Sequence, residues 1–327
     1  MLLLVDLDGV VYRGAEPVQG VAAVLAIRAA AGDDVVYVTN NSMWYRADYV
    51  TRLAGMGAPV TPDRIVSSAR ATALYLAESS PKPRCALVVG GPGLVHELRD
   101  VGIEVMPSGE AAERWTANGR DAAAATKGVD TVVVGLDLEF TYARLAVAAE
   151  AVRAGARFVA TNRDPIYPLE RGTMPGAGSV VAAIATASGV EPVSIGKPGP
   201  LLLEVAAHAL GRPVTEAVMI GDSLITDIPA AIAVGARSVL MLTGISTAAQ
   251  LDDLPAAERP TEVAANADEL AAALDRRISR GEVPGFILPP WIASISALPS
   301  APYAWSWGFD RPTSPPVPAS RSRPSRA

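Results

Sequence analysis

A single cysteine, Cys85, stands among 327 residues. One thiol excludes an internal disulfide and a cysteine zinc site, and it points to a reducing compartment. The only histidines, His96 and His208, fall singly on expected helices, so neither a histidine metal site nor a histidine base at a strand end is available. Basic residues do not dominate: 28 Lys and Arg face 34 Asp and Glu, a net charge of −6. A general nucleic-acid partner is disfavoured by that balance. No apolar run reaches the ~18 residues needed to cross a bilayer. The first residues make no secretory leader, because their apolar stretch is short, lacks a basic lead and runs straight into Asp6. The expectation is a cytoplasmic protein without nucleic-acid or membrane partners. Only five residues precede Asp6, which leaves room for an upstream start.

What the chain does have is apolar bulk, at 50% hydrophobic residues, enough for a large core. Short apolar runs alternate with helically spaced segments. Leu2–Val5, Val35–Val38 and further runs ending at Gly90, Gly135, Thr161, Gly196, Gly221 and Thr243 read as strands. Fully apolar strands alternating with helices predict an α/β fold with a Rossmann-like parallel sheet covered on both faces. The stretches CALVVGGPG and DTVVVGLDL repeat one another loosely, as two β-α units of a middle domain would. The VVGGPG segment lacks the ending and spacing of a phosphate loop and reads as a tight β-α turn. From Gly281 onward the pattern stops: ten prolines, scattered Ser and Arg, and Trp291, Trp305 and Trp307. Such a composition predicts disorder, with a partner-binding tail as the alternative.

Four stretches carry chemistry. In LLLVDLDGVVYRG, Asp6 and Asp8 are spaced to face one side at the end of a strand, and Gly9 allows a sharp turn. In VVYVTNNS, Thr39, Asn40 and Asn41 offer a hydroxyl and successive amides at a strand-to-helix turn, which suits an anion. In VSIGKPGP, Lys197 is held between Gly196 and Pro198 as a fixed point charge. In VMIGDSLITDI, Asp222 ends an apolar strand and Asp227 opens the next helix. Each stretch alone also reads as ordinary surface: a turn with two acids, a polar helix cap, a loop lysine, a helix-start acid. Together, at the carboxyl ends of strands in one parallel sheet, they place several carboxylates beside one lysine. Acids so crowded call for a hard divalent cation with oxygen ligands, the preference of Mg²⁺.

In this order, DLDGVVYRG, VTNNS, IGKPGP and GDSLITDI resemble the four motifs of the haloacid-dehalogenase (HAD) superfamily of aspartate-dependent phosphatases. The stretch from Val132 to Ile184 resembles the cap and return segment of its subclass IIA, and the resemblance spans about residues 2–275. That branch holds nitrophenyl-phosphate, phosphoglycolate, glycerol-3-phosphate, pyridoxal-phosphate and nucleotide phosphatases. The spacing agrees independently. Thr39 and Lys197 lie roughly 160 residues apart, far more than one strand and one helix need. The expected organisation is therefore a discontinuous HAD-like core, 1–80 and 192–277, an inserted α/β C2-type cap, 81–191, and a tail, 278–327.

The resemblance implies roles. Asp6 is the nucleophile that forms an aspartyl-phosphate, and Asp8 is the general acid and then the base for water. Mg²⁺ would be held by Asp6, the Asp8 carbonyl and Asp222, with Asp227 orienting Lys197 or a metal-bound water. Thr39, Asn40, Asn41 and Lys197 would bind phosphoryl oxygens. Tyr167 falls in the cap loop that faces the core site in this family and becomes a substrate-binding candidate, with cap packing as the plainer alternative. Ser223 and Ile225 depart from residues common at those positions, which bears on substrate or dimer details more than on activity. The implied activity is Mg²⁺-dependent hydrolysis of a small phosphorylated metabolite, glycerol 3-phosphate or phosphoglycolate leading, then a nucleoside monophosphate or pyridoxal phosphate. A phosphopeptide substrate is disfavoured by the cap. A catalytically silent phosphate-binding protein that works through its tail is the alternative from another class. A receiver domain uses similar residues but needs no cap. Relatives often dimerise through the cap, so a homodimer is the expected partnership.

Overall fold

The strand Leu2–Val5 lies at the centre of a six-stranded sheet and decides where the site can form. On one side it pairs in parallel with Asp34–Thr39, which pairs with Ile65–Ser67. On the other it pairs with Ala217–Gly221, followed outward by Arg237–Met241 and Glu262–Ala264, all parallel. The chain thus builds outward in both directions from its first strand, and ligands bind at the carboxyl ends beside such a reversal. This is the computed structural model of residues 1–168 and 172–276; the expected tail, with its three tryptophans, lies outside these described residues.

Every residue of Leu2–Val5 and Ala217–Gly221 is buried, because helices cover both faces. Leu3 and Val5 pack with Val21 and Leu25 of the helix Val21–Ala30, Leu53 of the helix Arg46–Gly55 and Leu270 of the helix Ala267–Asp275. Leu2 and Leu4 face the opposite layer, with Leu76 of the helix Ser68–Glu78 and Leu202 of the helix Leu201–His208.

A second parallel sheet of five strands has the order Val193–Ser194, Arg157–Ala160, Thr131–Val134, Cys85–Val89, Glu104–Pro107. One face shares an apolar layer with the first sheet, in which Val88, Val133 and Val159 join Leu2 and Leu4 through Leu94 and Leu98. The other face packs on the helices Tyr142–Arg153 and Ala177–Ser188. Val193–Ser194, assigned from sequence to the returning core segment, is the edge strand of this second sheet. The GGPG turn opens the helix Pro92–Asp100. The strands Ile166–Pro168 and Thr173–Pro175 form an antiparallel hairpin. Among the described residues no helix is long and apolar enough to cross a membrane.

Candidate active site

Asp6 and Asp222 leave adjacent strands side by side, since Val5 is in register with Ile220 and the Asp6 N–H donates to the Ile220 carbonyl at 2.8 Å. Lys197 arrives from the edge of the second sheet. Its Nζ donates to Asp6 Oδ1 at 2.7 Å and to Asp227 Oδ1 at 2.6 Å. Asp227, first residue of the helix Asp227–Ala233, accepts on Oδ2 the N–H groups of Asp222 (3.0 Å) and Ser223 (3.1 Å). Asp222 Oδ2 accepts the Ile245 N–H at 2.8 Å. All four charged side chains are buried. Space for them is made by glycines: a Cβ at Gly244 or at Gly9, whose φ is +83°, would collide with the Asp222 carboxylate.

Oxygens of Asp6, Asp222 and Asp227 come within 4.8 Å of one another. Three acids face one lysine, and the imbalance shows in their protonation. Burial raises the Asp6 pKa well above the carboxylate range; Lys197 pulls it down, while Asp227 and Asp222 push it up. Asp222 is raised to about 6 by burial and by Asp227. Burial opposes the Lys197 ammonium, yet Asp227 and Asp6 outweigh it and raise its pKa. Both Asp227 oxygens are engaged within the protein, whereas Asp6 Oδ2 and Asp222 Oδ1 take no part in the hydrogen bonds just described. Those two oxygens and the uncompensated charge fit a hard divalent cation such as Mg²⁺.

Asp8 lies beyond Asp6 on a loop closed by the Gly9 N–H to the Tyr12 carbonyl at 2.7 Å, and it reaches solvent. Crowding by protein raises its pKa, against the pull of Arg52 and Lys197. Arg52 stacks 3.6 Å from the Tyr12 ring centroid and donates to the Gly14 carbonyl, fastening this loop to the helix Arg46–Gly55. Tyr167, half-buried on the hairpin, lies near enough to Tyr12 and Tyr49 to act on both hydroxyls, although burial is the main cause of their raised pKa values. The mouth beside Asp8 therefore carries Tyr167 and Arg52, with Tyr12 and Tyr49 buried behind it, and sequence reasoning singled out only Tyr167.

Thr39 is buried, and its Oγ1 accepts the Asn41 N–H at 3.2 Å. The two asparagine side chains make contacts within the protein. Asn41 Oδ1 accepts the Met43 N–H at 2.9 Å, a local turn. Asn40 clasps the Lys197 peptide, accepting its N–H and donating to its carbonyl, both at 2.8 Å, and also donates to Asp164. The Asn40 side chain thus serves the protein frame, and Asn41 Oδ1 a local turn. The carbonyl of Asn40 accepts in turn from Ser68 Oγ (2.6 Å) and Asn162 Nδ2 (2.8 Å). Asp164, Asn162 and Ser68 were missed because their partner lies far off in sequence; the only available signal was the polar cluster TNRD after an apolar strand.

Comparison with known proteins agrees with this geometry. A family model described as haloacid dehalogenase-like hydrolase matches residues 3–104, and a related HAD-hydrolase-like model matches 194–270. The chain is 34% identical over 257 residues to an acid sugar phosphatase of Staphylococcus epidermidis, covering 79% of this chain and 91% of that one. The chain belongs to the haloacid-dehalogenase-like hydrolases. Within the family it is a phosphoric monoester hydrolase. Among solved structures, a glycerol phosphate phosphatase from Mycobacterium tuberculosis in complex with magnesium superposes with a TM-score of 0.69 at 34% identity, over 82% of this chain and 75% of that one. A p-nitrophenyl phosphatase from Archaeoglobus fulgidus gives 0.72 at 28% identity, over 83% and 98%.

Proposed function

We propose that this HAD phosphatase is a cytoplasmic, Mg²⁺-dependent enzyme that hydrolyses a small phosphorylated polyol through an aspartyl-phosphate on Asp6. The observation that carries the reading is the buried Asp6–Lys197–Asp227 chain, which holds one carboxylate in place beside a fixed cation. Asp6 attacks phosphorus with a carboxylate oxygen, and the P–O bond to the alcohol breaks. Asp8 gives its proton to the departing oxygen. It then takes a proton from the water that attacks the aspartyl-phosphate, so phosphate leaves and Asp6 is restored. A raised Asp8 pKa favours the protonated form needed first. Lys197 holds the transferring oxygens with its charge, and Asp227 keeps Lys197 aimed. Asp6 and Asp222 would hold Mg²⁺, whose charge would let a phosphate dianion approach an aspartate.

The substrate class rests on chemistry the relatives share. The acid sugar phosphatase and the glycerol phosphate phosphatase are both named for esters of polyhydroxy alcohols. Tyr167 and Arg52 at the mouth offer a hydroxyl and a cationic partner to such a leaving group. Phosphate release from glycerol 3-phosphate, sugar phosphates, phosphoglycolate, pyridoxal phosphate, nucleoside monophosphates and a phosphotyrosine peptide, with and without Mg²⁺, tests the reading. Mg²⁺-dependent turnover of a polyol phosphate supports it. A preference for the nucleotide or the peptide overturns the substrate class, and silence across the panel from a folded, Mg²⁺-binding protein moves the reading to a phosphate-binding protein.

A further inference from the structure

Lys197 must present its ammonium to Asp6 with little freedom, yet the strand before it has only two residues and lies at a sheet edge. Its position is set by Asn40. The Asn40 amide makes a two-point clasp on the Lys197 peptide, so it mimics one rung of a sheet. That clasp uses the amide oxygen and one of the two amide hydrogens. The remaining hydrogen goes to Asp164, 3.0 Å from Oδ1 and 3.1 Å from Oδ2. A carboxylate acceptor makes this the strongest of the three bonds.

Asp164 is itself firmly held. Its carbonyl accepts the Gly178 N–H at 2.9 Å and its N–H donates to Asn162 Oδ1 at 3.2 Å. A Cβ at Gly176 would collide with that carbonyl, and one at Gly178 with the Arg163 carbonyl beside it, which accounts for two glycines of the PGAG segment. Asn162 meanwhile grips the Asn40 carbonyl. Gly196 lets the partners close, since a Cβ there would lie 2.7 Å from Asn40 Oδ1. One loop of the second sheet, residues 162–164, therefore holds Asn40 by backbone and side chain together. No cation pairs with Asp164 among the described residues, and burial raises its carboxyl to about 6. An acid kept there against that penalty has a use other than stability.

We propose that Asp164 is a positioning residue: it fixes the Asn40 amide and, through it, the place from which Lys197 meets the transferring phosphoryl group. The inference rests on the phosphatase reading of Lys197. It also makes the contact between the two sheets part of the catalytic frame, since Asp164 reaches the site only while its loop is docked on Asn40.

The test is a double-mutant cycle on nitrophenyl phosphate with Mg²⁺, using the full chain, Asn40→Ala, Asp164→Ala and the double variant. Asp164→Ala is expected to lower kcat about 10- to 100-fold, the scale for a displaced catalytic group. In the Asn40→Ala background the same change is expected to have no further effect, because residues acting in one chain are non-additive. Asp164→Asn, which keeps an acceptor oxygen in place, is expected to recover part of kcat. Losses that multiply in the double variant, or an Asp164→Ala kcat equal to that of the parent, overturn the proposal. If Asp164→Ala does not fold, the cycle is run with Asp164→Asn and read in the same way. Turnover by the parent that vanishes in Asp6→Asn establishes the phosphatase reading separately, so the two can fail independently.

Discussion

Two buried acidic clusters, one in the site and one at the joint between the sheets, balance their charge differently. At the joint, Glu97 of the helix Pro92–Asp100 is fully buried and meets two arginines, Arg46 and Arg70 at 3.4 Å, with Arg46 also reaching Asp100. In the site, Asp6, Asp222 and Asp227 share one lysine. Both clusters bear the penalty of burial, which raises Glu97 as it raises Asp6 and Asp222. The joint matches its two acids with two arginines and needs nothing more. The site lacks positive charge, and the shortage marks where a cation and then a phosphoryl group belong. Ion pairing as such therefore says little about function; the sign and size of the imbalance say more.

The sharpest way to separate the clusters is to neutralise one acid in each. Asp6→Asn keeps shape and removes the nucleophile. Turnover is expected to fall by about 10³-fold or more, the range for losing a covalent group, while the thermal midpoint holds or rises because a surplus buried charge is gone. Glu97→Ala is expected to do the reverse. It leaves Arg46 and Arg70 without their shared acceptor and should lower stability by about 2–3 kcal/mol, less than for a fully enclosed pair because both arginines reach solvent. Its kcat on nitrophenyl phosphate, measured below the melting range, should stay within about threefold of the parent, since Glu97 touches no group that acts on Lys197. A dead Glu97→Ala enzyme that melts normally would make the joint part of the site.

The same contrast predicts a shared response to pH and different responses to metal. Asp6 and Asp222 have folded pKa values raised above their unfolded ones, Asp222 from 3.8 to about 6. The folded state then binds the extra protons, so metal-free stability is greatest below about pH 4 on this account and declines as pH rises through about 6. Glu97 contributes with the same sign. Only the site's part is reversed by Mg²⁺. At a hundredfold excess over Kd the ion adds about 2.7 kcal/mol, and the gain should be large at pH 7 and small at pH 5, where the ligands hold protons. Melting scans at the two pH values, with and without Mg²⁺, check this. Asp222→Asn should abolish the Mg²⁺ effect while the Glu97 contribution persists. An equal Mg²⁺ shift at both pH values would place the ion elsewhere.

Which parts were legible in the sequence follows from how local each signal is. Asp6 and Asp222 sit at the ends of apolar runs, and Asp227 opens the helix that follows Asp222. Lys197 was readable through its fixed Gly196 and Pro198 neighbours. The α/β class came from the same alternation, whereas the expected insertion came from the long spacing between Thr39 and Lys197 and from the family resemblance. The strands Ile65–Ser67 and Glu262–Ala264 were not foreseen, because outer strands of three residues carry too short an apolar pattern. The strand Val193–Ser194 was foreseen but placed in the wrong sheet, since a two-residue edge strand does not encode its neighbour. The side-chain role of Asn40 was not legible, because its partners, Lys197 and Asp164, lie 157 and 124 positions away. Glu97 gave no signal at all, for a buried acid on an amphipathic helix looks like any surface glutamate until Arg46 and Arg70 fold against it.

The smallest expected effect concerns the mouth, which belongs to neither cluster. Tyr167 pairs with Met174 across a two-stranded hairpin and stays half-exposed, so its removal opens little of the core. It does stand near Tyr12 and Tyr49, beside the loop of Asp8. In the proposed mechanism a side chain there would meet the alcohol portion of the ester and not the phosphoryl group. Tyr167→Ala should therefore leave the Mg²⁺ response and the melting point nearly unchanged. It should alter the ratio of kcat/KM between glycerol 3-phosphate and nitrophenyl phosphate by roughly 3- to 10-fold, the scale for one contact in a specificity pocket. The polyol, which can use the Tyr167 hydroxyl, should lose more, and Tyr167→Phe should reproduce most of that loss while keeping the ring. An equal loss on both substrates would instead tie Tyr167 to the frame that holds Asp8.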